Sequence, residues 1–328
     1  MVSIVVHDLL AAGPRLLSSD SNTEKPVFPW NIDTIVSELR EARGRSKRVL
    51  QAGNRRAPLP SPEKLQQAIQ GIYASLFPRH AGAFDHSDEG IAFFVGNTLN
   101  AALHILLDQV RREHAFVDEE RASHESLLSA EEIVTAFSRE LPQIYELLES
   151  DIRAAYEGDP SAKSTEEVLL SFPGIKAIVH HRVAHALHLL GSPVIARIIA
   201  ELAHSQTGID IHPGAKIGGR FFIDHGTGVV IGETAVIGQR VRIYQAVTLG
   251  AKRFSVDEGG ALVKGEPRHP IVEDDVVIYA GATILGRITI GRGSSIGGNI
   301  WLTRSVPPNS TIVQAQARSE TFDHGSGI

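Results

Sequence analysis

An aliphatic residue recurs at every sixth position through most of the last third of the chain. The positions fall in three runs: Ile211, Ile217 and Ile223; Ile231, Ile237, Ile243 and Leu249; and Val272, Ile278, Ile284, Ile290, Ile296 and Leu302. Neither the period of an α-helix nor that of a strand produces this spacing. A coil of short strands does, because each six-residue unit supplies one strand with an inward side chain and one tight corner. The repeat therefore predicts a parallel β-helix.

The repeat is interrupted at two places, and we expect the chemistry to lie there. Eight residues instead of six separate Ile223 from the next repeat position, and the extra residues fall within the run DHGTG at 224–228. After Leu249 the chain leaves the coil, and it returns through Arg268-His269-Pro270. Insertions on one face of a repeat fold commonly form its binding face, and both interruptions place a histidine beside a charged residue. A tolerated surface loop is the alternative.

Composition excludes several classes of site and partner. The 328 residues carry a formal net charge of −6 and contain no dense basic run, which argues against a nucleic-acid-binding surface. The absence of cysteine from the sequence excludes disulfides and thiolate metal sites. The first residues, MVSIVVHDLLAAGPRLL, lack a basic segment before the apolar stretch and are too short to span a bilayer. We therefore expect a cytoplasmic protein that binds neither nucleic acid nor membrane.

The chain is predicted to fall into four segments. Residues 1–60 mix polar, basic and proline-rich stretches and form an N-terminal extension of loop and linker character, with a short helix near residues 35–43. Residues 61–206 have helical periodicity, which begins where Ser61 and Pro62 provide an N-cap and a first turn. Residues 207–313 hold the hexapeptide coil with a loop at 250–271, and residues 314–328 form a polar, flexible tail.

Six motifs follow one another from residue 159 onwards. They are Asp159-Pro160-Ser161-Ala162, Gly208-Ile209-Asp210-Ile211-His212-Pro213, Asp224-His225-Gly226-Thr227-Gly228, Gly232-Glu233-Thr234-Ala235, Val247-Thr248-Leu249-Gly250 and Arg268-His269-Pro270. In content and order they closely resemble the serine O-acetyltransferases, a hexapeptide-repeat acyltransferase family. The resemblance covers roughly residues 60 to 328. It implies an α+β fold, with an N-terminal all-helical domain followed by a left-handed parallel β-helix of hexapeptide repeats. It also implies transfer of the acetyl group of acetyl-CoA to the hydroxyl of L-serine, the first step of cysteine biosynthesis.

Serine acetylation requires a base that takes the hydroxyl proton as the oxygen attacks the thioester. His225 is the predicted base, since imidazole titrates near neutral pH. Asp210 is the predicted orienting carboxylate, which would fix the tautomer of the ring and stabilise its protonated form. The two residues are fifteen positions apart, close to one coil of three hexapeptides, so adjacent coils could bring them together. The alternatives are a loop histidine and a corner-forming aspartate.

The family resemblance assigns the charges of serine to four further residues. Arg268 suits the α-carboxylate, because a planar guanidinium binds a carboxylate with two parallel hydrogen bonds. His269 would share that contact or stabilise the developing oxyanion. Asp159 and Asp224 are the candidates for the ammonium group, although an aspartate before proline is also a common start of a turn. Cysteine has the same α-charges, so we also expect it to compete with serine.

Acetyl-CoA is the implied acyl donor, with its pantetheine arm along one side of the coil. The resemblance points to backbone groups near Gly250 and Ala280. Four basic side chains are candidates for the phosphates: Lys252, Arg253, Arg287 and Arg292. Solvated side chains are the alternative for all four. Two departures from the family pattern leave this part of the site open, namely a loop at 250–267 longer than that of the enteric members and Ala251 in place of a second glycine.

No metal site is predicted. His181 and His185 have the spacing of a metal-binding pair on one helix, together with His180 and His188, but a third ligand is missing and a partly buried helix face explains them better. The main alternative enzyme is a zinc carbonic anhydrase on the same coil, with His212, His225 and His269 as its ligands. A hexapeptide acetyltransferase with another hydroxyl acceptor and a non-catalytic scaffold are the remaining alternatives.

Two kinds of protein partner are predicted. Hexapeptide acyltransferases are commonly trimers, so a trimer or a dimer of trimers joined through the helical domain is expected. The chain ends in Gly325-Ser326-Gly327-Ile328, which resembles the Gly-x-Gly-Ile end of the family. The resemblance implies that this end binds O-acetylserine sulfhydrylase, where the terminal carboxylate of Ile328 would mimic the α-carboxylate of O-acetylserine.

Overall fold

The computed structural model describes residues 30–45, 58–81, 85, 87–118, 128–253 and 257–314. The chain divides into two units, Met1–Arg56 and Ala57–Ile328. The described residues of the first unit form one helix, α1 (Ile32–Arg45), none of whose side chains is buried. This helix confirms the one predicted near residues 35–43.

The described part of the second unit begins with six α-helices. They are α2 (Pro62–Leu76), α3 (Asp88–Asp118), α4 (Ala130–Gly158), α5 (Thr165–Ser171), α6 (Pro173–Leu189) and α7 (Pro193–Thr207). Ser61 caps α2 as predicted, since its side chain accepts a hydrogen bond from the Lys64 N–H. Gly208 ends α7 with a φ of +69°, a left-handed conformation that turns the chain from the last helix into the coil. The short helix α5 was not predicted, because seven residues are too few to reveal a helical period.

Helix α3 is the one described helix that is long and apolar enough to cross a membrane, over residues 88–115. It meets this description by its length and composition alone. The same helix carries two buried polar side chains that bind other parts of the helical region. The Gln109 side-chain oxygen accepts a hydrogen bond from the Ser61 N–H at 2.7 Å, and the Glu113 carboxylate accepts one from the Val194 N–H at 2.7 Å. These bonds attach α3 to the start of α2 and the start of α7.

After α7 the chain winds into a left-handed parallel β-helix, as the repeat and the family resemblance predicted. Its strands are β1 (Asp210–Ile211), β2 (Lys216–Ile217), β3 (Phe222–Ile223), β4 (Val230–Ile231), β5 (Val236–Ile237), β6 (Arg242–Ile243), β7 (Thr248–Gly250), β8 (Ile271–Val272), β9 (Val277–Ile278), β10 (Thr283–Leu285), β11 (Thr289–Ile290), β12 (Ser295–Ile296), β13 (Trp301–Leu302) and β14 (Thr311–Ile312). They form three sheets: sheet A in the order β1-β4-β7-β10-β13, sheet B in the order β2-β5-β8-β11, and sheet C in the order β3-β6-β9-β12-β14.

The repeated aliphatic residues fill the interior of the coil. In sheet A the inward side chains of Ile231, Leu249 and Ile284 stack in register with 0–1% exposure. The eight-residue step lengthens the first coil, since Asp210 pairs with Val230, twenty positions on, whereas Val230 pairs with Thr248, eighteen positions on. The two extra residues therefore project from a corner without disturbing the inward stack.

A buried ion pair attaches the helices to the first coil. Arg182 of α6 donates to the Asp151 carboxylate of α4 at 2.9 and 3.1 Å, and the two side chains are 4% and 0% exposed. The guanidinium also donates to the carbonyl oxygens of Ile217 and Gly218, at 2.8 and 2.7 Å. The Asp151 carboxylate accepts from the Phe221 N–H at 2.8 Å. Burial raises the pKa of Asp151 to about 6, and the charge of Arg182 opposes that rise.

Replacing Arg182 by alanine is expected to destabilise the fold by about 3–5 kcal/mol, because Asp151 would remain buried with its charge unpaired. The matched control is Arg153→Ala, whose partner Glu149 lies one helical turn away and whose side chain is 58% exposed. That exposed pair contributes roughly 0.5 kcal/mol or less. Denaturant unfolding at equal protein concentration measures both variants, and equal midpoints would contradict this role of the buried pair.

Candidate active site

The first interruption of the repeat forms a corner between sheets C and A, here called the His225 corner (residues 224–229). Asp224 follows β3, and its N–H donates to the Ile243 carbonyl of the next coil at 2.8 Å. His225 has a φ of +60°, which turns its side chain away from the coil, and the side chain is 69% exposed. The imidazole Nδ1 lies 3.7 Å from Oδ1 of the buried Asp224 carboxylate. The corner thus presents an accessible imidazole beside a carboxylate.

Arg242, in β6 of the next coil, binds the carboxylate of this corner. Its Nη2 donates to Asp224 Oδ2 at 2.5 Å, and its Nη1 donates to the Gly158 carbonyl at the end of α4 at 2.7 Å. The guanidinium also lies over the rings of Phe222 and Tyr244, at 4.9 and 4.7 Å from their centroids. Arg242 therefore links the end of the helical region to the carboxylate beside His225.

Asp159 faces the same corner from the end of α4. Its Oδ1 accepts hydrogen bonds from the N–H and the hydroxyl of Ser161, both at 2.8 Å. These two bonds, with smaller contributions from the charges of Arg242 and His225, hold the pKa of Asp159 below its usual range. Within the described residues Oδ2 makes no hydrogen bond, so one oxygen of an ionised carboxylate remains for a cationic group.

Asp210 lies in sheet A, one coil before the His225 corner. Its N–H donates to the Val229 carbonyl at 2.9 Å, and the Gly228 N–H donates to the Gly208 carbonyl at 2.8 Å. These bonds place the Asp210 backbone against the end of the His225 corner, as the fifteen-residue spacing suggested. Among the described residues no hydrogen bond joins Asp210 to His225, and the carboxylate paired with the imidazole is that of Asp224. The role of Asp210 as the orienting carboxylate stays a prediction.

After the second interruption the chain re-enters the coil between sheets A and B. The segment where it does so is here called the Arg268 junction (residues 266–270). Arg268 donates through Nη2 to Glu233 Oε2 at 2.5 Å, and its backbone N–H donates to the Thr234 hydroxyl at 2.9 Å. Burial acts to raise the pKa of Glu233, but the hydrogen bond and charge of Arg268 outweigh it and hold that pKa below its usual range. His269 is 7% exposed and contacts Thr234. The junction presents a guanidinium aimed by a carboxylate.

The predicted site residues therefore form two groups at opposite edges of sheet A. Asp159, Asp224 and His225 lie at the edge that the strands enter from sheet C, and Arg268 and His269 lie at the edge that leads to sheet B. No hydrogen bond or ion pair between the groups occurs in the described part of one chain. Each group is half of the site that the sequence predicted.

The chain is similar to serine acetyltransferases over nearly its whole length. No family model matches it. A plasmid serine acetyltransferase of Synechococcus elongatus is 57% identical over 317 residues, which are 95% of this chain and 99% of that protein. The chain belongs to the serine acetyltransferase family. The serine acetyltransferase of Bacillus licheniformis is 48% identical over 174 residues, 53% of this chain and 76% of that one.

Solved serine acetyltransferases share this fold. Isoform 3 of Entamoeba histolytica, determined in complex with cysteine, is 34% identical with a TM-score of 0.66, over 88% of this chain and 94% of that chain. The soybean enzyme, determined with serine, is 32% identical with a TM-score of 0.50, over 79% of this chain and 99% of that chain. This chain is accordingly an acyltransferase, and acetyl-CoA is the co-substrate that such an enzyme requires.

The two positions expected to contact acetyl-CoA also lie at opposite edges of sheet A. Gly250 ends β7 where the chain leaves the coil, and its carbonyl accepts from the Gly286 N–H at 3.0 Å. Ala280 lies on the corner after β9, and its carbonyl accepts from the Asn299 N–H at 2.9 Å. Near Gly250, Lys252, Arg253 and Arg287 line a cavity of about 290 Å³. Contact of these groups with the co-substrate stays a prediction.

The histidines of α6 pack within the fold. His180 and His181 are buried, and burial lowers both pKa values. The His181 and His185 rings stack with centroids 5.6 Å apart, and His185 Nδ1 is 2.7 Å from the Pro213 carbonyl oxygen. Across the described ranges, no three histidine or acidic side chains are grouped so as to hold a metal ion. The trio proposed for a zinc enzyme is divided between separate corners of the coil.

Three supporting residues were missed from the sequence: Arg242, Glu233 and Thr234. All three lie on strands or corners one coil away from the residues they hold, so sequence distance hides the contact. Arg242 pairs in register with Phe222, the residue two before Asp224, and this register was not available from the hydrophobic repeat alone. Glu233 and Thr234 belong to the motif Gly232-Glu233-Thr234-Ala235, which supports the family resemblance but to which no role was assigned.

Proposed function

We propose that this serine acetyltransferase transfers the acetyl group of acetyl-CoA to Oγ of L-serine, with His225 as the general base, in the first step of cysteine biosynthesis. A bond forms between Oγ and the acetyl carbon, and the bond from that carbon to the CoA sulfur breaks. The serine hydroxyl proton passes to the imidazole and then to the departing thiolate. The observation that carries the proposal is the exposed His225 ring beside the buried Asp224 carboxylate.

Recognition of serine follows from the charges of the two groups. The carboxylate oxygen of Asp159 that makes no hydrogen bond in the described structure suits the ammonium, and Asp224 is the second candidate on the His225 corner. Arg268 suits the α-carboxylate. Its Nη2 donates to Glu233 and its Nη1 donates to the Glu266 carbonyl oxygen at 3.2 Å, and the remaining N–H groups of the guanidinium are left to bind ligand. Relatives determined in complex with cysteine and with serine support the expectation that both amino acids bind and compete.

The position of the two groups favours a trimer-based assembly, as a single trimer or a dimer of trimers. One chain carries His225 at one edge of sheet A and Arg268 at the other. If the β-helices of neighbouring chains pack side by side, the His225 edge of one chain would meet the Arg268 edge of the next. The pantetheine arm of acetyl-CoA would then lie between Gly250 of one chain and Ala280 of the next. A monomer at micromolar concentration by light scattering would overturn this assembly.

The reaction is tested by release of free CoA from acetyl-CoA with L-serine as acceptor. Homoserine and a galactoside are the matched controls, because they offer hydroxyl groups to the same acetyl donor without the same placement of charges. Serine-dependent release with little release from either control is expected. A preference for the galactoside would favour another hexapeptide acetyltransferase, and zinc-dependent hydration of carbon dioxide would favour the carbonic anhydrase.

The proposed partner is O-acetylserine sulfhydrylase, bound through Ile328, in a cytoplasmic setting without nucleic acid or membrane. Ile328 and the rest of the tail after Gln314 lie outside the described residues. Deleting Ile328 is expected to abolish the complex and leave acetyl transfer unchanged, because the carboxylate and the isoleucine side chain are the proposed anchors. Calorimetry with the sulfhydrylase from the same cell measures the affinity. Unchanged affinity after the deletion, or after amidation of a tail peptide, would refute this partnership.

A further inference from the structure

The hydroxyl of Thr234 lies at the centre of the Arg268 junction. Its Oγ1 accepts hydrogen bonds from the backbone N–H of Arg268 at 2.9 Å and from that of His269 at 3.1 Å. The same oxygen lies 2.9 Å from Nδ1 of the His269 ring. A hydroxyl has two lone pairs and one hydrogen. Since both lone pairs receive backbone donors, the hydrogen is directed at Nδ1.

A second donor points at the same ring nitrogen. The backbone N–H of Thr234 donates to His269 Nδ1 at 3.0 Å. Nδ1 must therefore present its lone pair, and the single proton of the neutral imidazole must reside on Nε2. A proton added to Nδ1 would face two hydrogen-bond donors and lose both bonds.

The surroundings of the His269 ring also disfavour a second proton on it. Burial and then the positive charge of Arg268 lower the pKa of His269, with Arg287 adding to the effect and Glu233 opposing it. Arg287 Nη1 donates to the carbonyl oxygens of Thr234 and His269 at 2.7 and 3.0 Å, which fixes the two residues relative to each other. A Cβ atom added to Gly232 would lie 2.0 Å from the His269 ring, so only glycine permits this seat.

We propose that Thr234 is a positioning residue that fixes His269 as the Nε2–H tautomer, so that His269 serves only as a hydrogen-bond donor. The inference rests on the proposed function, in which His225 is the base and the developing oxyanion needs a donor. The two histidines then have separate tasks. His225 takes a proton, and His269 offers one in a hydrogen bond without giving it up.

The tautomer and the titration of His269 are measured in the free enzyme by long-range ¹H–¹⁵N correlation with ¹⁵N-labelled histidine. His269→Gln identifies the signal by its loss. Thr234→Val removes the hydroxyl and keeps the backbone N–H, whereas Thr234→Ser keeps both. The wild-type ring is expected to carry its proton on Nε2. Thr234→Val should raise the titration midpoint of His269 by about one pH unit, since one donor to Nδ1 is lost, and Thr234→Ser should restore the wild-type midpoint.

The kinetic consequence separates a donor from a base. A glutamine at 269 carries an amide N–H close to the position of Nε2–H, whereas an asparagine places its amide near Nδ1. His269→Gln is therefore expected to retain more of kcat than His269→Asn, and the same two changes at His225 should be equally damaging. Thr289→Val, in β11 of sheet B, is the control for loss of a threonine hydroxyl elsewhere in the coil.

Two results would overturn the inference. One is a wild-type ring with its proton on Nδ1, and the other is an identical His269 midpoint in wild type, Thr234→Val and Thr234→Ser. Either result in an enzyme that acetylates serine would leave the proposed function intact. An Nε2–H tautomer in a chain that releases no CoA with serine would instead overturn the proposed function.

Discussion

Replacing His225 by alanine is expected to lower kcat by about 10²–10⁴-fold, the contribution that a general base typically supplies. The side chain is 69% exposed and fills no part of the core, so its loss should leave the fold unchanged. Substrate binding should change much less than turnover, because the groups proposed to hold serine and acetyl-CoA remain. The measurement is steady-state release of CoA with both substrates varied, together with the unfolding midpoint of the variant.

The matched control is His204→Ala in α7. His204 is a half-exposed histidine that lies 3.3 Å from Glu201 on its own helix. Its removal should change neither kcat nor either KM. Near-normal turnover in His225→Ala would end the assignment of the base.

Two carboxylates compete for the role of orienting His225, and asparagine variants separate them. Asp210→Asn should lower kcat less than removal of the base, with serine KM unchanged, if Asp210 orients the ring. Asp224 is closer to the imidazole and also pairs with Arg242, so Asp224→Asn should change kcat and serine KM together. Unchanged kcat in Asp210→Asn would assign the orienting role to Asp224.

The coil could be predicted from the sequence because its core is one-dimensional. Each repeat position needs one aliphatic side chain that stacks on the equivalent residue of the next coil, so a six-residue period is sufficient to identify it. The period stopped at Leu302 in the sequence, although the coil continues. Val306 lies four residues after Leu302 and forms a parallel β-bridge with Ile290. Strand β14 then pairs with β12 and adds one more strand to sheet C. A shortened corner breaks the period without breaking the stack.

The site could be predicted only in part, because its supporting contacts cross between coils. The roles of His225 and Arg268 could be proposed from residue type and motif. The contacts of Arg242 with Asp224 and of Glu233 with Arg268 join residues 18 and 35 positions apart, and both depend on the register of the coil. Register is set by the lengths of the two insertions, which hydrophobic periodicity does not specify. The division of the site between two edges of sheet A follows from the same register.

Replacing Arg268 by alanine is expected to lower kcat/KM for serine by roughly 30- to 700-fold, the equivalent of about 2–4 kcal/mol for loss of a desolvated charge pair. The loss should appear mainly as a higher serine KM, with a smaller effect on acetyl-CoA, because the guanidinium is proposed to meet the serine carboxylate. Arg268→Lys should be intermediate, since lysine retains the charge without the planar fork. Initial rates over a grid of both substrate concentrations measure these constants.

The control for removal of an arginine from the coil is Arg240→Ala. Arg240 is an exposed residue paired with Asp275 on the corner between sheets B and C, whereas both halves of the site lie at the edges of sheet A. It should leave both KM values unchanged. Equal weakening of serine and acetyl-CoA in Arg268→Ala would indicate collapse of the junction instead of loss of one charge contact.

Mixing His225→Ala with Arg268→Ala tests whether the halves of the site come from different chains, with serine held well below the KM of Arg268→Ala so that both variants are strongly impaired. His225→Ala chains keep an intact Arg268 edge, and Arg268→Ala chains keep an intact His225 edge. If the proposed trimer forms, joint unfolding and refolding at equal amounts gives mixed trimers in about three of four cases, and each mixed trimer would have one intact site of three. About one quarter of wild-type activity should therefore return. Activity no higher than the average of the two variants would place both edges of a working site on the same chain, and the trimer-shared site would be wrong.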